Sequence, residues 1–247
     1  MKVAVVIPAR YASTRLPGKS LLKIGRKFLI QMVYEHAIQA RCASAVIVAT
    51  DDRRILEAVN SFGGEARMTR ADYPSGTDRV AEVVRKHLPD VDAVVNVQGD
   101  EPDLEPDQID AVAALLEEDP EAAMTTLACV MTGRDRMEDP NQVKVVCDVK
   151  GRALYFSRAP IPFVRDEAAR DWTFLGHVGI YGYRREFLLE FTKLAQTPLE
   201  KKERLEQLRA LEHGYIIRVG LTARTPFGID TPEDLERFRA LRRKDTL

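Results

Sequence analysis

Three cations, two hydroxyls and a glycine crowd into residues 10–19, which read Arg10-Tyr11-Ala12-Ser13-Thr14-Arg15-Leu16-Pro17-Gly18-Lys19. They follow the apolar run 2–7, so they stand past the carboxyl end of a strand, where open α/β sheets present ligands. Guanidinium forks, an ammonium and free backbone N–H groups suit a polyphosphate. A solvated basic loop would have the same composition. Gly18-Lys19-Ser20 also ends like a P-loop, GxxxxGK[ST]. Its first glycine would have to be residue 13, which is a serine, and Lys23, Gly25 and Arg26-Lys27 interrupt the helix that should follow.

A second strand tip carries acids, in Val94-Val95-Asn96-Val97-Gln98-Gly99-Asp100-Glu101-Pro102. Mg²⁺ takes one or two carboxylates plus substrate phosphates, which makes Asp100 a candidate ligand; a helix-capping turn is the alternative. Asp230 precedes the last helix, whose dipole is already served by Thr231, Glu233 and Asp234, and is left for a second metal contact. Ser75-Gly76-Thr77-Asp78-Arg79 opens another helix and can offer backbone groups to a base or ribose, although an N-cap accounts for most of it. His177 lies beside a strand with aromatics around it, a setting in which histidine is usually structural. Arg158 is followed by Pro160 and Pro162, which fix the backbone around it or simply end a strand.

The elements that must hold these residues are legible in the hydrophobic pattern. Runs at 2–7 and 45–50 are β-branched and continuous, as in strands covered on both faces. Helical spacing appears through Leu29, Met32, Val33, Ala37 and Ala40, then over 52–62, 77–87 and 106–118, with strands at 93–97 and near 124–130. Gly63-Gly64 ends the second helix. Such βαβαβ alternation predicts an α/β fold with a mostly parallel sheet and helices on both faces. The second half breaks the rhythm: strands at 143–147 and 153–157 flank Asp148-Val149-Lys150-Gly151, a hairpin signal. A strand follows at 177–183, then helices over 187–195 and 198–213, a strand at 215–223 and a closing helix with Thr231 as N-cap. We read one domain, 1–247, with a β-rich excursion around 140–190.

Composition narrows the function classes. The 247 residues are 45% hydrophobic and 30% charged, with 37 Lys and Arg against 38 Asp and Glu, a net charge of −1. So balanced a chain is not built as a nucleic-acid binder overall, which still leaves room for a local basic pocket. No apolar run approaches the roughly 18–20 residues of a membrane span, and Pro8-Ala9-Arg10 cuts short anything like a secretory signal. Cys42, Cys129 and Cys147 are widely spaced, so disulfides and structural zinc are not expected and a cytoplasmic location is.

The run 7–19 resembles the opening signature of the 3-deoxy-manno-octulosonate cytidylyltransferases (CMP-Kdo synthetases). Further matches follow in that family's order: Met68-Thr69-Arg70-Ala71-Asp72 with Ser75-Gly76-Thr77-Asp78-Arg79, then Asn96-Val97-Gln98-Gly99-Asp100-Glu101-Pro102 and Val143-Lys144-Val145-Val146. Ala153-Leu154-Tyr155-Phe156-Ser157-Arg158, the run 177–184, Leu205-Glu206-Gln207-Leu208-Arg209 and the run 228–235 complete a resemblance that spans the chain. Ser20 and Phe28 depart from it, standing where the family usually has prolines.

The resemblance implies a Rossmann-like nucleotidyltransferase domain that transfers CMP from CTP to the anomeric hydroxyl of Kdo with Mg²⁺, for lipopolysaccharide biosynthesis. It further implies a cytoplasmic homodimer without nucleic-acid or membrane partners. By motif, Ala9, Arg10, Arg15, Lys19, Thr50, Ser75, Gly76, Arg79, Gln98 and Asp100 would bind CTP. Gln98, Arg158, His177, Tyr181, Glu206 and Gln207 would take the sugar acid. Asp100 and Asp230 would ligate metal, and Arg10, Lys19, Asp100 and Asp230 would be catalytic. An amino variant of Kdo fits the same motifs, whereas sialic-acid enzymes usually carry a different first loop. A P-loop NTPase and a non-catalytic nucleotide sensor are the readings from other classes.

Overall fold

The computed structural model describes residues 1–12, 16–165 and 171–244 and falls into two compact units, Met1–Asp110 with Pro226–Leu247, and Ala111–Thr225. In the first unit, β1 (Val3–Ala9) is a Val/Ile run buried along almost its whole length. A 3₁₀ turn (Lys19–Leu21) and a small hairpin, β2 (Lys23–Ile24) and β3 (Lys27–Phe28), lead into α1 (Leu29–Ala37). Then come β4 (Ala43–Thr50), α2 (Arg53–Ser61), β5 (Ala66–Met68), α3 (Gly76–His87), β6 (Ala93–Asn96) and α4 (Pro106–Glu118), most of which belongs to the second unit. Strands β4 and β6 flank β1 in parallel, with Val5 opposite Val46 on one side and Val95 on the other. β5 extends the parallel set beyond β4. Such strands need cover on both faces, which is why they read as unbroken apolar runs.

Helix starts follow local chemistry. Asp52 caps α2, its Oδ1 accepting from the Arg54 amide at 2.9 Å. Ser75 and Asp78 form a capping box that opens α3 at the pocket edge described below. Both caps satisfy N–H groups that the first turn would otherwise leave unpaired.

The second unit is a mixed sheet. It contains β7 (Ala122–Met131), α5 (Arg134–Glu138), β8 (Lys144–Cys147), β9 (Ala153–Ser157), β10 (Phe174–Arg184), α6 (Arg185–Phe191), α7 (Pro198–Glu203), α8 (Gln207–Glu212) and β11 (Ile216–Thr222). β7 runs parallel to β11 and antiparallel to β10, and β10 pairs antiparallel with β8. The expected β8–β9 hairpin turns through Gly151 at φ 73°, with the Gly151 amide donating to the Asp148 carbonyl at 2.9 Å. Residues 140–190 lie within this unit, which extends to either side of them. The chain then returns to the first unit through α9 (Pro232–Lys244), capped by Thr231 and Asp234.

Expectation and structure part at several places. The helix expected over 198–213 is two short helices, because Arg204 sits in the left-handed region at φ 54° and turns the chain. The 3₁₀ turn, β2, β3, β5 and α5 are not expected from the sequence; with two to five residues each they are too short to show a period.

Candidate active site

A cavity of about 370 Å³ opens past the carboxyl ends of β1 and β6, lined entirely by the first unit. Ala9, Arg10, Lys19, Ser75, Gly76, Arg79, Gln98, Asp100 and Asp230 all face it. Thr50 does not: it is fully buried at the tip of β4, where its hydroxyl accepts from the Asp52 amide and its carbonyl from the Thr69 amide. Arg15 lies outside the described residues.

At the centre, the Lys19 ammonium is 2.6 Å from Asp100 Oδ2 and 3.0 Å from Asp230 Oδ1. Lys19 is 14% exposed, Asp100 32% and Asp230 47%, so the carboxylates open to solvent while the lysine is mostly covered. These two acids are 130 residues apart in sequence (230 − 100) and are joined by backbone: the Ile229 amide donates to the Asp100 carbonyl at 2.9 Å. Behind them, Glu101 is half-buried, with its Oε2 shut off from solvent and unpaired among the described residues. Burial, and then the charges of Asp100, Asp103 and Asp230, push its carboxyl up to about 8.

The rest of the cavity is shaped by close backbone approach. A Cβ on Gly99 would lie 2.9 Å from the Pro8 carbonyl oxygen, and one on Gly76 would lie 3.2 Å from Pro8 Cγ. The β1 and β6 tips and the start of α3 meet only because both positions lack side chains. Arg79 is almost fully buried: its guanidinium donates to Asp51 at 2.5 Å and to Thr69 Oγ1 and the Arg70 carbonyl at 2.9 Å. It therefore pins the cavity wall from behind as well as lining it. Tyr73, Pro74 and Ser20 line it too, with no signal in the pattern beyond their proximity to Ser75 and Lys19.

In the second unit, the His177 ring sits edge-on to Phe156 at 5.1 Å and 5.4 Å from Tyr181, with Nε2 3.0 Å from Thr126 Oγ1. Burial pushes its pKa down to about 3, so it serves as a neutral hydrogen-bonding group. Arg158 donates to the carbonyls of Glu203 and Pro140, both at 2.8 Å. The Glu203 carboxylate receives the Ser157 hydroxyl at 2.6 Å and the Arg158 amide at 3.0 Å. Lys144 is wholly buried and donates to three carbonyls, those of Asp139, Gln142 and Arg158, at 2.6–3.0 Å. Glu206 lies 3.6 Å from the Arg209 guanidinium. Gln207 is 3% exposed and its Nε2 has no partner among the described residues.

The family model for cytidylyltransferases matches residues 4–219. A 3-deoxy-manno-octulosonate cytidylyltransferase of Syntrophotalea carbinolica is 52% identical over 247 residues, covering 97% of this chain and 98% of its own. One from Syntrophobacter fumaroxidans is 53% identical over 237 residues, with 96% and 95% covered. The chain belongs to the 3-deoxy-manno-octulosonate cytidylyltransferase family. A solved CMP:2-keto-3-deoxy-manno-octonic acid synthetase complexed with CTP superposes on this cytidylyltransferase with a TM-score of 0.94, at 44% identity and over 99% of this chain and 100% of the other. A cytidylyltransferase from Leptospira borgpetersenii, 18% identical with a TM-score of 0.64 over 97% and 86% of the two chains, shares the fold. The enzyme is thus a nucleotidyltransferase of mixed α/β fold with a mostly parallel sheet flanked by helices. No described helix is long and apolar enough to cross a membrane.

The acid pair of this cytidylyltransferase suits a divalent cation. A positive charge already rests against both carboxylates, in the form of the Lys19 ammonium, and the donors are hard oxygens. Among the described residues no group of three or more His, Cys, Asp or Glu is placed to hold a metal ion by itself, so a cation here would need substrate and water to complete its shell. That pattern fits Mg²⁺, which uses one or two carboxylates and completes its shell with phosphate and water.

Proposed function

We propose that this enzyme transfers CMP from CTP to the anomeric hydroxyl of 3-deoxy-D-manno-octulosonate, releasing pyrophosphate, as a step of lipopolysaccharide biosynthesis. The observation that carries the reading is Lys19 lodged between Asp100 and Asp230 in a cavity that also opens on the capped start of α3. Cation, acids and the N-terminal turn of a helix then meet where a nucleoside triphosphate needs all three.

The anomeric oxygen attacks the α-phosphorus, the bond to the bridging oxygen breaks, pyrophosphate leaves and the hydroxyl proton passes to solvent. Arg10 and Lys19 bind the phosphates, and Lys19 stabilises charge developing at the α-phosphate. Ser75, Gly76 and Gln98 surround the cytidine, with Arg79 fixing that wall. Asp100 and Asp230 would hold Mg²⁺, which when bound acidifies the attacking hydroxyl and neutralises phosphate charge. Arg158, His177, Tyr181, Glu206 and Gln207 take the sugar acid, with His177 donating or accepting as a neutral ring. Positioning does most of the work, as expected where the protein has no covalent chemistry to perform.

The same reading makes the enzyme a cytoplasmic homodimer. Its three cysteines are unpaired thiols, which suits a reducing compartment, and Val130, Leu154 and Leu221 are apolar side chains left more than half exposed. A pyrophosphate-release assay offering four nucleoside triphosphates against Kdo, its amino variant and sialic acid tests the activity. Release is expected with CTP and Kdo, and almost none from Asp100→Ala. ATP hydrolysis without a sugar acid, or a preference for sialic acid, would overturn the reading.

A further inference from the structure

The basic loop has a clasp that no part of the proposed chemistry uses. Tyr11 follows Arg10, and Gly18 precedes Lys19. The Gly18 amide donates to the Tyr11 carbonyl at 2.9 Å, which closes the two ends of the loop on each other. Gly18 is at φ 67°, and a Cβ there would lie 3.0 Å from the Tyr11 ring, so ring and glycine are in direct contact. On the ring's face lies the Arg54 guanidinium, 3.3 Å from the centroid. Arg54 is in turn held flat by a two-pronged pair with Asp52, at 2.9 and 2.7 Å, and Asp52 is anchored as the cap of α2 and through Thr50 Oγ1 at the tip of β4. The chain of contacts runs from a rigid strand end, through a planar cation, to an aromatic ring that touches both ends of the loop.

We infer that Tyr11 and Arg54 are positioning residues that hold Arg10 and Lys19, which flank the clasp, in the arrangement that binds the triphosphate before the nucleotide arrives. A guanidinium stacked on an aromatic ring is planar against planar, a geometry that lysine cannot copy. Neither side chain needs to touch the substrate. Their effect is on the fraction of enzyme in which Arg10 and Lys19 are already so placed, and apparent affinity falls in proportion to that fraction. Saturating CTP restores that placement, so turnover at saturation is kept. The inference rests on the loop being the CTP phosphate site.

The test measures kcat and KM for CTP and for Kdo in Tyr11→Ala, Arg54→Met, Tyr11→Phe and the Tyr11→Ala/Arg54→Met double variant, alongside thermal unfolding. Tyr11→Ala and Arg54→Met should each raise KM for CTP about 3- to 10-fold, with kcat and KM for Kdo within about twofold of the parent. Tyr11→Phe, which keeps the ring, should restore the parent value. The double variant should be no worse than either single one, since both break one contact. An unchanged KM for CTP in folded Arg54→Met, losses that add, or Tyr11→Phe behaving like Tyr11→Ala would overturn the inference. A parent enzyme that releases no pyrophosphate from CTP and Kdo would instead sink the reading beneath it.

Discussion

Replacing Lys19 by methionine should weaken turnover and strengthen metal binding in the same molecule. The ammonium lies 2.6 and 3.0 Å from the two carboxylates that a divalent cation would use, so in the nucleotide-free enzyme the two compete. At an effective dielectric constant near 20, contacts this short would be worth several kcal/mol each. Asp100 and Asp230 are 32% and 47% exposed, however, and water screens them. Partly exposed pairs return about 0.2–1 kcal/mol each, hence about 0.5–2 kcal/mol for the two together. That range converts to roughly 2- to 30-fold tighter divalent binding in Lys19→Met. Loss of one preorganised contact to the α-phosphate should meanwhile lower kcat about 100- to 1000-fold. Mn²⁺ titrated into nucleotide-free parent and variant, followed by calorimetry or electron paramagnetic resonance, reads the first effect; pyrophosphate release reads the second. Because the signs are opposite, poor folding cannot mimic the pair. Equal or weaker Mn²⁺ binding by folded Lys19→Met would refute the competition.

Two further outcomes test the second unit. His177 has its pKa pushed from 6.5 to about 3 by burial, so below pH 6.5 the unfolded chain takes up a proton that the folded one refuses. Stability should therefore fall as pH drops from 6.5 towards 3, and urea midpoints of His177→Gln should fall less steeply; identical slopes would dismiss the buried neutral ring. Arg209 and Glu200 are 9% and 6% exposed and paired at 2.5 Å, so Arg209→Ala strands a buried carboxylate. A loss of about 3–5 kcal/mol in urea unfolding is expected, and one under about 1 kcal/mol would show the pair to be dispensable.

The parts of this fold that the sequence made readable are those where one physical demand dominates. β1 is buried on both faces, so its Val/Ile run admits one interpretation, and Ser75 with Asp78 announces a helix start in two residues. The cations of residues 10–19 and the acid at 100 were legible as strand-tip chemistry, although naming the nucleotide and sugar came from resemblance. What stayed hidden involves partners without side-chain identity or partners far along the chain. Lys144 binds only carbonyls, and any residue supplies a carbonyl. Asp51 lies between the strand at 45–50 and the helix at 52–62 with nothing in the pattern to mark it, yet it neutralises Arg79. Glu203 lies in Glu200-Lys201-Lys202-Glu203-Arg204-Leu205-Glu206-Gln207, which has uninterrupted helix propensity, and only tertiary packing turns the backbone at Arg204. Asp230 could be assigned by elimination, but that its carboxylate reaches the same ammonium as Asp100 depends on the Ile229–Asp100 backbone bond.

That bond also sets an order of events during synthesis. Asp230 follows every other charged group of the site along the chain and is the last of them to be translated. Ile229, Leu235 and Phe238 share one buried cluster with Ile24 and Leu29, so the segment that brings the second acid is packed into the same core as the hairpin and helix that follow Lys19.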